Sequence, residues 1–137
     1  MQGALGKCGN RCDLCPLYVE NFTAGDAGRI NALLHRYHQG GMGTPPQYTR
    51  GCDGCPSEGY IARVDCPIRQ CADRGRLETC APCEDMFCEL LEEDMQIIEG
   101  AVARWGDKIP QEDFDRYLKP FLVRATLSRL RLERRLP

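Results

Sequence analysis

Ten cysteines stand in a chain of 137 residues. Cys8, Cys12 and Cys15 crowd into "GKCGNRCDLCPLY". Cys52 and Cys55 form "CDGC", and Cys80 and Cys83 form "CAPC". Cys66, Cys71 and Cys88 stand singly around them. Three of these pairs share two-residue spacing. A tight turn of that length aims two sulfurs at one point and leaves amides free to donate to them. Thiolates so gathered are ligands for a soft cation. One such pair carries little weight. Three, with four further cysteines nearby, point to metal. Gly54 relaxes the second turn, and "CDLCP" and "CDGCP" read as two copies of one local turn.

The candidate ligands are therefore Cys8, Cys12, Cys15, Cys52, Cys55, Cys66, Cys71, Cys80, Cys83 and Cys88. The three pairs lead the expected grouping. Cys8 joins Cys12 and Cys15, and Cys88 lies near Cys80 and Cys83. Two closed zinc sites use eight cysteines, and spacing leaves open which two stand apart. The expected cofactor is Zn2+, with a [4Fe–4S] cluster as the alternative, because all-cysteine ligation suits both. The opening triplet also matches the cluster spacing of radical S-adenosylmethionine enzymes. That reading fails on the rest of the chain, which lacks both the length and the strand–helix alternation of their barrel.

His35 and His38, the only histidines, sit one turn apart on an expected helix and read as surface or packing residues. "CAPC" is the best candidate for a redox pair, but the βαβ setting of such a motif is absent. No Ser/His/Asp order, phosphate loop or carboxylate pair stands out. The sequence thus points to a binding module rather than an enzyme. Lys7, Arg11, Arg50, Arg63, Arg69, Arg74 and Arg76 lie close to cysteines. They are either solvated surface or the groups that steady anionic thiolate sites.

Composition sets what must hold such loops. Apolar residues are 42% and aromatic residues 7%, enough for a modest core. The 14 Gly and 9 Pro gather mostly in the first two thirds, where loops bury little. A structural zinc site contributes roughly 10–16 kcal/mol of apparent binding free energy. That matches the whole net stability of a domain, about 5–15 kcal/mol. "MQGALGKCGNRC" holds no signal-peptide core, and no stretch approaches the roughly 18 apolar residues of a membrane span. The expected location is cytoplasmic, where ten cysteines would not be disulfides.

The elements follow from periodicity. Asp26 caps a helix over "AGRINALLHRYH" with Ile30, Leu33, Leu34 and Tyr37 on one face, and "QGGMGTPPQYTRG" breaks it. "PIRQCADRG" makes a short helix with Pro67 in its first turn and Gly75 at its end. A long helix runs from Asp85 through "DMFCELLEEDMQIIEGAVARW" to Gly106. Another begins at Pro110 in "PQEDFDRYL". Pro120 kinks it or opens a last helix, "PFLVRATLSRLRLERRL". Phe114, Leu118, Phe121, Leu122, Leu127 and Leu130 give an apolar stripe for core packing or for a partner helix. Seven acids and no base lie between Glu84 and Glu99, and seven bases with one acid follow from Arg116. These read as two neighbouring helices with complementary faces. With a net charge of −2, nothing calls for nucleic acid. The partner, if any, is another protein docking on the C-terminal helices.

The fold expected is mostly α: a small cysteine-rich domain spanning 1–137, with metal-knuckle loops over 8–88 and a C-terminal helical hairpin over 89–137. The ordered string "CGNRCDLCPLY", "CDGC", "CPIRQCADRGRLETCAPCEDMFC" resembles the domain-of-unknown-function family 3795, cysteine-rich bacterial and archaeal proteins. All ten cysteines fall on that pattern, as do Gly9, Pro16, Gly54, Ile68 and Ala72. "YLKPF" looks like its later segment, and Lys7 stands where an aromatic is common. The resemblance implies metal binding and no particular reaction.

Overall fold

The helix α3, Glu89–Trp105, runs through both halves of the core. It is seen in a computed structural model that describes residues 5–39, 47–55, 59–63, 65–84 and 87–135, without the side chains of Arg134 and Arg135. Four other helices surround α3: α1 (Ala27–Gln39), α2 (Pro67–Arg74), α4 (Gln111–Tyr117) and α5 (Val123–Arg135). Short 3-10 turns form at Cys12–Leu14, Ala24–Asp26 and Lys119–Phe121. Among the described residues there is no β-strand, only isolated bridges between Leu5 and Arg11 and between Tyr18 and Cys52. The fold is mostly α and cysteine-rich, as the periodicity and the cysteine string led us to expect.

Most element ends follow from single residues. Pro67 sits in the first turn of α2, where its missing N–H costs nothing, and Gly75 caps the other end. Pro110 precedes α4, and the 3-10 turn containing Pro120 separates α4 from α5. Ahead of α1, Asp26 lies in the 3-10 turn Ala24–Asp26, where its carboxylate accepts from Thr23 Oγ1 at 2.7 Å. The start of α3 corrects the sequence reading. Phe87 has φ +68°, in the left-handed region, and Cys88 is extended at the cap position. The helix therefore begins at Glu89 rather than near Asp85. Glu89 and Glu92 then occupy its first turn, where carboxylates suit the exposed N–H groups. Asp85 and Met86, the breaker residues 40–46 after Gln39, and Leu136 lie outside the described residues.

Two apolar clusters use α3 from opposite ends. Toward its C-terminus, Ile30, Leu34 and Tyr37 of α1 pack with Ala101, Tyr117 and Leu118, flanked by Trp105 and Phe114. Tyr37 meets Trp105 edge-on at 5.8 Å, and its hydroxyl donates to Asp113 Oδ2 at 2.6 Å. Toward the N-terminus of α3, Leu91 and Met95 pack with Val123 and Leu127 of α5, Ile68 of α2, Ala81, Cys8 and Cys66. Of the apolar stripe foreseen along the C-terminal segment, Phe114 and Leu118 join the first cluster, and Leu127 and Leu130 the second. Burying residues such as Leu91, Leu118 and Leu127 contributes about 1.5–3 kcal/mol each.

The second cluster joins the cysteine loops to the helices. Arg11 N donates to Pro120 O at 2.7 Å. Gly9, at φ +94°, lies so close to α5 that a Cβ there would meet Leu127 Cγ at 2.8 Å. The complementary charges meet through one side chain. Arg124 reaches Glu92 at 2.5 Å and Glu99 at 2.8 Å, two turns apart on α3. Other charges go elsewhere: Asp94 to Arg63 at 2.9 Å, and Arg129 to Glu133 within α5. The bases Arg134 and Arg135 have side chains outside the described set.

Candidate metal centre

The two similar turns are physically paired. In the first, Cys15 N donates to Cys12 O at 3.1 Å, closing the turn, and Leu17 N donates to Cys15 Sγ at 3.4 Å. In the second, Gly54 takes φ +91°, and the amides of Gly54 and Ala62 both donate to Cys52 Sγ at 3.4 Å. A parallel bridge joins them: Cys52 N donates to Leu17 O at 2.6 Å, and Val19 N to Cys52 O at 2.8 Å. Gly51 permits this approach, since a Cβ there would fall 2.5 Å from Val19 Cα. Gly6 closes the opposite side. A Cβ on Gly6 would meet Cys12 Sγ at 3.4 Å and Cys55 Sγ at 3.7 Å. Both sulfurs therefore border the same small space.

The backbone at Cys55 also favours the thiolate of Cys12, and that at Lys7 the thiolate of Cys55. Backbone donors aimed at sulfur favour the thiolate, so the donor set has the chemistry a soft cation needs.

A second group gathers beyond the core. Cys71 from α2, Cys80 and Cys83 from the intervening turn, and Cys88 at the cap of α3 line one cavity of about 30 Å³ together with Ile68, Ala72, Leu77, Leu90 and Leu91. Cys83 N donates to Cys80 O at 3.1 Å, repeating the closure of the first turn. Arg131 of α5 donates to Cys83 O at 3.2 Å. Cys80 N donates to Lys7 O at 2.8 Å, so the two groups share a backbone link.

Burial dominates the electrostatics. It pushes the Cys12 thiol up to about 11, Cys15 to about 12 and Cys80 to about 11, and it raises Cys8 and Cys55 as well. Neighbouring thiols add to each shift: Cys55 and Cys52 act on Cys12, and Cys83, Cys88 and Cys71 act on Cys80. A cation bound here would have to displace the protons of these thiols.

The basic residues near the cysteines are mostly otherwise engaged. Arg11 pairs with Asp13 at 2.7 Å, Lys7 with Asp73, and Arg50 lies 4.5 Å over the Tyr60 ring. Arg69 favours the thiolate of Cys55, and Arg63 is acted on by Cys66 and Cys8. Both arginines thus influence the sulfurs.

The structure thus brings Cys12, Cys15, Cys52 and Cys55 together, and Cys71, Cys80, Cys83 and Cys88 together. Cys8 and Cys66 are buried between them among apolar side chains. Among the thiols, Cys55 and Cys66 add to the upward shift of Cys8. Among the described residues no three Cys, His, Asp or Glu side chains already stand in a ligating arrangement. The sulfurs are neighbours that a metal would still have to draw together. His38 is a packing residue: its Nε2–H donates to Tyr117 O at 2.6 Å, and its ring meets Phe121 edge-on at 4.7 Å. Gly6 and Gly51, which let the loops close, escaped the sequence reading. Their signal was a glycine just ahead of the first cysteine in "GKC" and "RGC".

Thiol-bearing turns closed over by helices define a small, mostly α, cysteine-rich domain. The chain belongs to the family described as "Protein of unknown function (DUF3795)", whose family model matches residues 4–93. That span takes in all ten cysteines and ends inside α3. No curated protein and no solved structure matches the chain. No helix among the described residues is long and apolar enough to cross a membrane.

Proposed function

We propose that this protein is a metal-stabilised binding module whose paired turns, Cys12/Cys15 and Cys52/Cys55, hold a soft divalent ion, zinc before iron. The observation that carries the reading is the parallel pairing of two Cys-x-x-Cys turns, with backbone amides donating to their sulfurs. When bound, the ion neutralises thiols that burial otherwise keeps protonated and cross-links two loops with little apolar surface of their own. Roughly 10–16 kcal/mol of apparent binding free energy then becomes folding free energy. The role is protein interaction through the C-terminal helices, where Ile97 and Leu132 remain exposed. The setting is a reducing compartment, the cytoplasm, in which the ten free thiols persist.

The test is elemental analysis and an absorption spectrum on protein purified without oxygen, followed by melting before and after chelation. The expected result is a colourless protein with bound zinc and a melting temperature that falls on chelation. Brown colour with visible absorption replaces the ion by an iron–sulfur cluster. No bound metal and an unchanged melting curve overturn the reading.

A further inference from the structure

We infer that the ten cysteines divide into four, two and four: Cys71, Cys80, Cys83 and Cys88 form a second site for one single metal ion, and Cys8 and Cys66 ligate nothing. The inference rests on the metal-binding reading above and extends it to a different set of residues.

Three observations carry it. First, the four thiols come from α2, from the following turn and from the cap of α3, yet all border one cavity. An ion there would tie α2 to α3 across the loop between them. The remaining described walls are apolar, Ile68 and Leu91 among them, so among the described residues sulfur is the only metal donor lining the space.

Second, the cavity is only about 30 Å³, where about 10–15 Å³ holds one water-sized sphere. That admits one ion. A [4Fe–4S] cluster brings eight inorganic atoms of its own and does not fit between these walls.

Third, Cys8 and Cys66 are 6% and 5% exposed and belong to the cluster of Ile68, Leu91 and Leu127. A buried free cysteine in such company packs as a small apolar residue. By exposed area the other eight cysteines are all less buried, while Cys80 and Cys88 only pack against this cluster from its edge and Cys66 acts on Cys55 and Cys80 from within it.

Cadmium-113 NMR on the full cadmium-loaded chain tests the division directly. Two resonances are expected, one coupled to the β-protons of Cys12, Cys15, Cys52 and Cys55, the other to those of Cys71, Cys80, Cys83 and Cys88. Coupling to Cys8 or Cys66 overturns the inference. A single resonance coupled only to the first four leaves the paired-turn site standing and removes the second. No resonance removes both.

Native mass spectrometry of Cys55→Ser and Cys83→Ser, purified without oxygen, tests the single ion. Cys83→Ser should lose the mass of one ion relative to the parent, and Cys55→Ser should keep it. Loss of an increment containing inorganic sulfide in Cys83→Ser, or its retention in Cys55→Ser, overturns the single-ion assignment. Either variant answers if the other fails to fold, and the NMR experiment needs neither.

Discussion

Replacing Gly51 by alanine perturbs the candidate metal centre without touching a sulfur. The new methyl carbon would lie 2.5 Å from Val19 Cα, 3.1 Å from its Cβ and 3.2 Å from its Cγ2. The nearest obstacle is backbone, so no rotamer change relieves it. The two loops must separate, which lengthens the bonds Cys52 N to Leu17 O and Val19 N to Cys52 O. Two backbone bonds are worth roughly 1–3 kcal/mol together, and overpacking of this kind costs about 1–3 kcal/mol. Because lengthening those bonds is how the overpacking is relieved, the two costs overlap rather than add, and a loss of about 2–3 kcal/mol lowers metal affinity roughly 30- to 150-fold if the loops are drawn together only on binding. In the loaded protein the same loss lowers the melting temperature by roughly 6–12 °C.

The assay is a zinc titration against a competing chelator, with melting curves of loaded and stripped protein. Gly28→Ala is the control. Gly28 lies in α1 with nothing within 4 Å of a new Cβ. Alanine there should raise stability by up to about 1 kcal/mol and leave metal affinity alone. Wild-type affinity and melting in Gly51→Ala would falsify the claim that the paired turns build the site.

Gly9→Ala forces a side chain into φ +94° and into Leu127 Cγ at 2.8 Å, so a loss of about 2–3 kcal/mol is expected in urea unfolding. Leu127→Ala empties a fully buried position between the cysteine loops and α3. A destabilisation of about 2–5 kcal/mol is expected, read from the shift in urea midpoint; under 1 kcal/mol would show that the two parts are not packed as described. His38 is held neutral, its pKa lowered by burial against an ordinary 6.5. Its contribution is complete above pH 6.5 and is lost as pH falls toward the lower folded value, because the unfolded chain takes up the proton first. His38→Gln should therefore flatten the acid slope of stability below pH 6.5, measured as the difference between variant and parent; parallel curves would refute it.

What the sequence made legible follows from how far each signal reaches. Two-residue spacing reports a local turn, and the turns at Cys12, Cys52 and Cys80 were foreseen on that ground. The same spacing is silent on which turns meet. The partnership of the first two depends on Gly51 and Val19 coming into contact across 32 positions of chain, and no periodicity records that. Cys8 shows the limit most clearly. Its nearness to Cys12 and Cys15 in sequence suggests shared ligation, and nothing in the spacing reveals that Gly9 seats the chain against Leu127 with the Cys8 thiol among core side chains. The body of α1 was readable from Ile30, Leu34 and Tyr37, because burial there repeats with each turn. The start of α3 was not, since a phenylalanine with positive φ runs against its own propensity.

The hydrogen bond from Arg11 to Pro120 and the seat of Gly9 against Leu127 also bear on synthesis. A ribosome delivers Cys8 first and Leu127 last, and at about 5–20 residues per second the interval is on the order of 10 s. Through that interval the nascent thiols wait without the lid that α5 supplies. They are open then to oxidant and, on the proposed reading, to metal, and the timing of an ion's arrival would bear on the yield of native protein alongside its final affinity.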